Sequence, residues 1–507
     1  MSEERPASSL LLTDGYKFPM MEAGAPLREE EFYYSHRKGG WSFIPLDIGR
    51  HIRSLLPLLT LQDPAFETLA NHGYALGAGA RTALTLRDQV RVRALPKGSW
   101  FTDREPVFSV AGPSALGSIL EPLALQLHRR IQIATCARLR PDELPRFISF
   151  ATCEADRQIT LETLDEVEVQ APPIKVVTDL YVQSVYDRAM RMVEIVEDPD
   201  RLFEVGLRAA SCPEEHSLAL SALAEAGIRR TSNVLGALQY GMIPVGTMGH
   251  EHIMRFGTSY DAFAAMRDRV PGFVSYLPDT YSTLAEGVPA ALRAMAEAPG
   301  RDAAIRFDSE ANIRSQYAAT VCMANEAGLS PRYILESGWD DEKTIEFEAL
   351  RRSLKVPAER QAYGLGNFFV KPPWAHFGRD HVSAVYKLSY SSEPCMKMGD
   401  EPQGGKASLP GKLVLWRPAL GADGYRGPSG YVSQFEERWQ PPGWSSLLTG
   451  AGSSPRAMAF SASEMRGLAS RPYAPLGLSP ETQRRVAECH AQRRAAIAEA
   501  QLGRSTS

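Results

Sequence analysis

The order of segments along the chain predicts an α/β protein: an irregular parallel α/β barrel, with a mostly-β N-terminal α+β domain completed by C-terminal strands. Three observations carry this expectation. In the middle of the chain, short apolar runs alternate with helical stretches again and again, the pattern of βαβ units and parallel strands. Before and after that region, strand-like alternation and turn signals dominate. And the polar residues of the middle region recur at one end of successive runs, as they do at the mouth of a barrel. The expected division is 1–140 for the N-terminal domain, 141–383 for the barrel-like domain, and 384–507 for the C-terminal strands and helix, partly packing on the N-terminal domain.

The elements follow in order. "GAGART" (77–82) holds two glycines of a dinucleotide fingerprint but no third, and reads as a turn. "QVRVRALP" alternates like a half-buried strand, and "PVFSVAGP" ends in a turn signal. From Glu121, "EPLALQLHRRIQIATCARL" reads as one buried helix. The barrel series begins with "FEVGLRAA". It continues as "RRTSN" then "VLGALQYG", and "IPVGTM" then "HEHIMRFGTSYDAFAAMRDRV". "FVSYLPDT", "AAIRFDS" and "RYILES" each precede a helical stretch, and "AYGLGN" closes the series. "AVYKLSY" and "GKLVLWRPA" return to strands, with the polar loop "GDEPQGGKASLPG" between them. A terminal helix starts with Ser479 as N-cap, Pro480 at the first helical position and Glu481 at the positive end.

Bulk properties exclude several classes. A net charge of -4 over 507 residues of mixed composition gives no basic tail for nucleic acid and no electrostatic membrane partner. The start, "MSEERPASSL", lacks the charged and apolar regions of a signal peptide, and Leu55 to Leu61 is too short to span a bilayer. The six cysteines are scattered without a CxxC pair, so neither zinc nor a disulfide framework is expected. A cytoplasmic enzyme is the expectation.

The ends of the barrel runs carry Arg208, Ser232 with Asn233, Thr247 with His250, Asp279, Arg306 with Asp308, Ser337 with Gly338, and Gly364 with Gly366. Two arginines at one mouth suit an anionic substrate, because a guanidinium grips carboxylate or phosphate with two bonds. Glycines at strand ends let backbone N–H groups approach phosphate oxygens. Asp279 and Asp308 suit ribose hydroxyls or Mg²⁺. Each residue also has a plainer role open to it. Arg208 can pair with Glu204 or Glu214. Ser232 with Asn233, Asp279 with Thr280, and Asp308 with Ser309 can cap helices, and Gly364 with Gly366 can make a turn. His252 is expected to face the following helix rather than the mouth.

The stretches "LLLTDGYK", "EVGLRAAS", "RRTSNVLGALQYGMIPVGTMGHE", "LPDTYST", "AIRFDSE", "ILESGWDDE", "YGLGN" and "VYKLSY…PCMKMGDE…LPGKLVLWR" resemble, in this order, the nicotinate phosphoribosyltransferase family. The resemblance runs from about Leu10 to Arg417. It implies that nicotinate and phosphoribosyl pyrophosphate give nicotinate mononucleotide and pyrophosphate, in NAD salvage. It also implies coupling to ATP hydrolysis through a phosphorylated histidine, which on the "GTM-x-H" motif is His250. It further implies a homodimer in which Tyr16 stacks on the pyridine ring of the neighbouring subunit's site. Arg208 and Arg306 would hold the base, its carboxylate or the phosphates. Ser232 stands where nicotinamide-using relatives have aspartate, and avoids repelling a carboxylate. Asp279 and Asp308 would serve ribose or metal, and Gly338, Gly364 and Gly366 would cradle phosphate. The chain departs from the family at Ala209, where a second arginine is common, and at Glu310 and Ala311, where the family often reads DSGD. These departures leave nicotinamide or another pyridine base, or a catalytically degenerate nucleotide-binding relative, as alternatives.

Overall fold

The computed structural model describes residues 9–58, 63–309, 312–400, 406–418, 431–437, 444–446 and 476–505. Seven short strands form its central sheet: β1 (Leu202–Glu204), β2 (Arg230–Thr231), β3 (Ile243–Pro244), β4 (Val274–Tyr276), β5 (Ala303–Phe307), β6 (Arg332–Leu335) and β7 (Gln361–Leu365). Their lateral order is β3-β2-β1-β7-β6-β5-β4, and every pairing is parallel. β3 and β4 are consecutive in the chain yet occupy the two edges. The sheet therefore runs round in barrel order and stays open between them, a curled half-barrel.

Most crossovers are helical. The helix Val234–Tyr240 ends on Gly241 in the left-handed conformation, a common helix stop. The stretch after β3, expected as one helix, is two. His250–Phe256 ends at Gly257 with φ +81°, and Thr258 then accepts from the Asp261 N–H to start Ser259–Arg269. A β-strand places every second residue on one face. On the inward face, Phe203, Ala304 and Ile334 pack with Val205, Val245 and Ala362. Two residues further along their strands come Arg306, Glu336 and Gly364, so a polar layer lies directly above an apolar plug.

Beside the barrel stands a five-stranded antiparallel sheet, in the order Glu393–Pro394, Ala384–Ser391, Glu29–His36, Phe108–Pro113, Arg91–Ala94. The late strand Ala384–Ser391 thus pairs with the early strand Glu29–His36, from Glu30↔Ser391 to His36↔Ala384. Two local expectations are corrected. "GAGART" is not a turn: Gly77 precedes a helix, Ala78–Thr85, and its N–H donates to Glu22 Oε1 at 2.7 Å. The buried stretch from Glu121 is two helices, Glu121–Leu125 and Leu127–Leu139. A further sheet joins Trp444–Ser446, Leu413–Pro418, Tyr431–Gln434 and Gly477–Leu478. Ser479 accepts from the Thr482 N–H at 3.2 Å, capping the terminal helix Pro480–Ser505 as expected. Among the described residues no helix is long and apolar enough to cross a membrane.

Candidate active site

A cavity of about 750 Å³ opens at the C-terminal ends of the parallel strands. Nine lysines and arginines line it against four aspartates and glutamates, so its field favours a polyanion. A small chamber leads deeper, between Tyr16, Ser232, Gly246, Thr247, Arg306 and Glu336. Arg208 and Glu336 border both spaces.

His250 is the first residue of its helix and borders the large cavity. Its Nδ1 lies 3.0 Å from Thr280 Oγ1, and Lys397 Nζ lies 2.6 Å from its Nε2. An ammonium has no acceptor, so Lys397 donates to Nε2 and the ring proton sits on Nδ1, donating to Thr280. Burial, then the Lys397 charge, brings the imidazole down to about 4, against the pull of Asp279 and Asp308. The ring is neutral at physiological pH, with the Nε2 lone pair towards Lys397 and Asp308 Oδ2 3.4 Å away. His252 differs, as its spacing foretold. Its Nε2 donates to the Ala262 carbonyl of the following helix at 3.0 Å, and it is fully buried.

Arg306 Nη1 donates to Thr247 Oγ1 at 2.6 Å and to the Met248 carbonyl at 3.0 Å. Its Nη2 pairs with Glu336 Oε2 at 2.8 Å and Asp308 Oδ2 at 3.4 Å. Burial alone would raise the Asp308 carboxyl, but the Arg306 guanidinium, with the Lys406 ammonium behind it, holds it well below the usual range. Arg208 pairs with neither Glu204 nor Glu214. It meets Asp14 Oδ2 at 3.4 Å and Glu121 Oε1 at 3.3 Å. Ser232 Oγ donates to Asp14 Oδ1 at 2.7 Å, so a carboxylate already stands beside the position that was expected to lack one.

The helix-cap alternatives do not hold. Asn233 occupies an N-cap position without a capping side-chain bond, and its amide faces His216 Nδ1 at 3.0 Å. Asp279 accepts from Ser309 Oγ and from Lys397 at 3.2 Å, while its Oδ1 has no partner. The helix after Asp308 starts at Ile313, with Asn312 and not Asp308 or Ser309 at its N-cap position. Ser337 (φ +75°) and Gly338 (φ +61°) are successive left-handed residues on the cavity wall. Gly364 borders the cavity too, but a Cβ there would lie 2.5 Å from Glu336 Cγ. Its missing side chain makes room for Glu336. Gly366 precedes a four-residue helix. Ala209 lines the cavity; Glu310 and Ala311 lie outside the described residues.

Tyr16 sits in the chamber of its own chain, 6% exposed, and a Cβ on Gly246 would run into its backbone. Gly15 N–H donates to the Ser232 carbonyl at 2.7 Å, and Lys17 locks to Glu121 at 2.6 Å and Glu251 at 3.1 Å. The loop after β3 and the segment 15–17 are thereby clamped together, which places this ring at the mouth of its own chain.

Several site residues escaped the sequence reasoning: Asp14, Glu121, Glu336, Lys387, Lys397 and Lys406. Lys406 donates to the Asp308 carbonyl at 2.9 Å and to Ser337 Oγ at 3.3 Å. Burial, then repulsion from Arg37, lowers the Lys387 ammonium to about 7, a crowding of cations that an anion would relieve. Asp14, Lys387 and Lys397 stand inside "TDGYK", "VYKLSY" and "PCMKMGDE", and Glu336 stands two residues beyond the inward-facing Ile334.

No protein-family model matches the chain. It is 26% identical over 360 residues to human nicotinate phosphoribosyltransferase, covering 56% of this chain and 65% of the relative. To the Bacillus subtilis enzyme of the same name it is 26% identical over 267 residues, 51% of each chain. The matches thus span between half and two thirds of these curated relatives. In fold, the chain is similar to a nicotinate phosphoribosyltransferase from Vibrio cholerae, with a TM-score of 0.54, 19% identity, and coverage of 80% of this chain and 91% of the other. Over about half of its length in sequence, and in fold, the chain is similar to nicotinate phosphoribosyltransferases.

Proposed function

We propose that the protein is a phosphoribosyltransferase that joins nicotinate to the ribose of phosphoribosyl pyrophosphate, forming nicotinate mononucleotide and pyrophosphate in NAD salvage. The observation that carries this is the cationic cavity ending in a chamber with one aromatic ring and two arginines. The chamber suits a flat anionic base beside Tyr16. The cavity suits a ribose bearing phosphates, with Asp308 for its hydroxyls and Lys387, Lys397 and Lys406 for phosphate charge. Bond change at the ribose then needs positioning and charge stabilisation more than covalent help.

ATP coupling would run through His250. Its Nε2 lone pair forms the N–P bond as the P–O bond to the departing nucleoside diphosphate breaks, and Lys397 is placed to turn from the ring to the new phosphoryl oxygens. Among the described residues no three His, Cys, Asp or Glu gather as a metal cage. Mg²⁺ would take most of its ligands from water and substrate phosphates. Asp279, with its Oδ1 left without a partner, is the protein carboxylate suited to it, and Mg²⁺ would supply charge neutralisation on the phosphates. A homodimer and a cytoplasmic location belong to the same proposal.

A second reading, in which the base is nicotinamide or another neutral pyridine, is favoured by one observation: Asp14 and Glu336 already answer Arg208 and Arg306. The mutual contacts of His250, Arg306 and Asp308 speak against a degenerate relative. Incubating the protein with phosphoribosyl pyrophosphate and a panel of pyridines, followed by mass spectrometry, tests all of these. The nicotinate mononucleotide mass is expected to dominate. A carboxamide nucleotide alone would favour the second reading, and no nucleotide at all would favour a binding protein.

A further inference from the structure

β6 ends by handing the barrel mouth a carboxyl group that the chemistry above does not use. Glu336 is 4% exposed and stands on the wall shared by the cavity and the chamber. It holds Arg306 at 2.8 Å, while Thr247 and the Met248 carbonyl occupy the Nη1 side of the same guanidinium. The arginine that an acidic base needs is therefore already matched by a protein carboxylate. Gly364 is shaped to keep Glu336 there. Burial drives its carboxyl up to about 7, Arg306 and Arg208 opposing and Asp308 and Asp14 adding to the rise. These groups face it from every side: Arg306 and Asp308 from β5 and its end, Arg208 from the loop after β1, and Asp14 from the N-terminal segment. Lys406 reaches the neighbouring Ser337.

We propose that Glu336 is a specificity-determining residue, a positioning group that holds Arg306 at the chamber and yields it to an anionic base only by accepting a proton. The proposal rests on the phosphoribosyl-transfer function above. The exchange balances. One substrate carboxylate replaces one protein carboxylate on the guanidinium, one proton from solvent bonds to the Glu336 carboxyl, and the chamber keeps its net charge. A neutral carboxamide brings no charge and needs no proton, and its amide N–H can donate to ionised Glu336. Preference thus leans to the acid at lower pH and towards the amide at higher pH.

Calorimetric titration of the 507-residue protein with nicotinate and with nicotinamide, each in two buffers of different ionisation heat, counts the protons. Near pH 8, nicotinate is expected to take up about one proton and nicotinamide none, and the nicotinate Kd should weaken about tenfold per pH unit above roughly 7. In Glu336→Gln, which keeps the size of the side chain, the uptake should vanish and the nicotinate Kd become flat with pH. Nicotinate binding to the parent without proton uptake overturns the proposal and leaves the choice of base standing. So does uptake unchanged in Glu336→Gln, which would assign the proton to Lys387. Failure of nicotinate to bind at all overturns both the proposal and the function it rests on. The parent's own proton count decides the matter even if the variant does not fold.

Discussion

Between Thr280 and Lys397, His250 is held as a neutral imidazole, with Nδ1 donating to Thr280 and Nε2 accepting from Lys397. Because its proton comes off at about 4, its nucleophilic form is already complete at neutral pH. Labelling by γ-labelled ATP should therefore stay nearly flat from about pH 6 to 8, with no step at the ordinary histidine value near 6.5. His250→Ala should lose the acid-labile label and the ATP-stimulated turnover, and keep some basal transfer. His252→Ala should keep the label and lose stability instead, since its ring is tied to the Ala262 carbonyl. A label that survives in the first variant and disappears in the second would reverse the assignment. Stability follows from the same shift. A folded value below the unfolded one leaves stability full above about 6.5 and erodes it as pH falls towards about 4, by on the order of 2 kcal/mol at pH 5 for one such group. His36, lowered to about 3 by burial, adds to the same loss. Melting temperature should fall through that window, and His250→Gln should fall less steeply than the parent.

At the scale of elements, the mouth is built by alternation along short strands. Ala304, Ile334 and Ala362 plug the interior, and Arg306, Glu336 and Gly364 follow two residues on. This much was legible, because strand ends rich in polar residues after apolar runs mark a barrel mouth, and Arg306 was found that way. Glu336 obeys the same rule and was passed over inside "RYILES", where a single glutamate after an apolar run looks like a strand leaving the core. Lys397 and Lys406 were harder to see, since they come from a segment read as strand and polar loop, brought over the mouth by the pairing of Ala384–Ser391 with Glu29–His36. Register across several hundred residues is not written in local periodicity. The break at Gly257 was missed because the apolar positions continue across it. The fit of Gly364 against Glu336 is testable. Gly364→Ala forces a Cβ into Glu336 Cγ and, at 2.8 Å, Phe203 Cε2, an overpacking worth about 1–3 kcal/mol. Denaturant midpoints should show that loss, and Gly364→Ala with Glu336→Ala should recover part of it, because the second change removes one of the two obstacles. Equal losses in single and double variants would mean that Phe203 alone sets the cost.

At the scale of the molecule, one site is assembled from three distant stretches: the N-terminal segment around Asp14 and Tyr16, the strand ends from Arg208 to Gly364, and the lysines around 387–406. The resemblance implies that Tyr16 completes the site of a neighbouring subunit. Within one chain the segment is also held at the mouth: Gly15 bonds to the Ser232 carbonyl, Lys17 is buried between Glu121 and Glu251, and Arg255 clasps Glu30 of the five-stranded sheet at 2.6 and 2.8 Å. An exchange of the segment between copies would re-form the same pairs across an interface, so these contacts alone do not decide which chain supplies Tyr16. The prediction for a homodimer is that each site is complete within one chain. Mixing variants tests it. Tyr16→Ala and His250→Ala, each inactive or impaired alone, are co-refolded in equal amounts so that mixed dimers form. With Tyr16 serving its own chain, every site in the mixture carries one lesion, and ATP-stimulated activity should stay at the level of the separate variants. With Tyr16 serving the neighbour, a mixed dimer holds one doubly damaged site and one intact site, and about a quarter of the parent activity should return. Recovery of that size would send Tyr16 back across an interface and overturn the single-chain site.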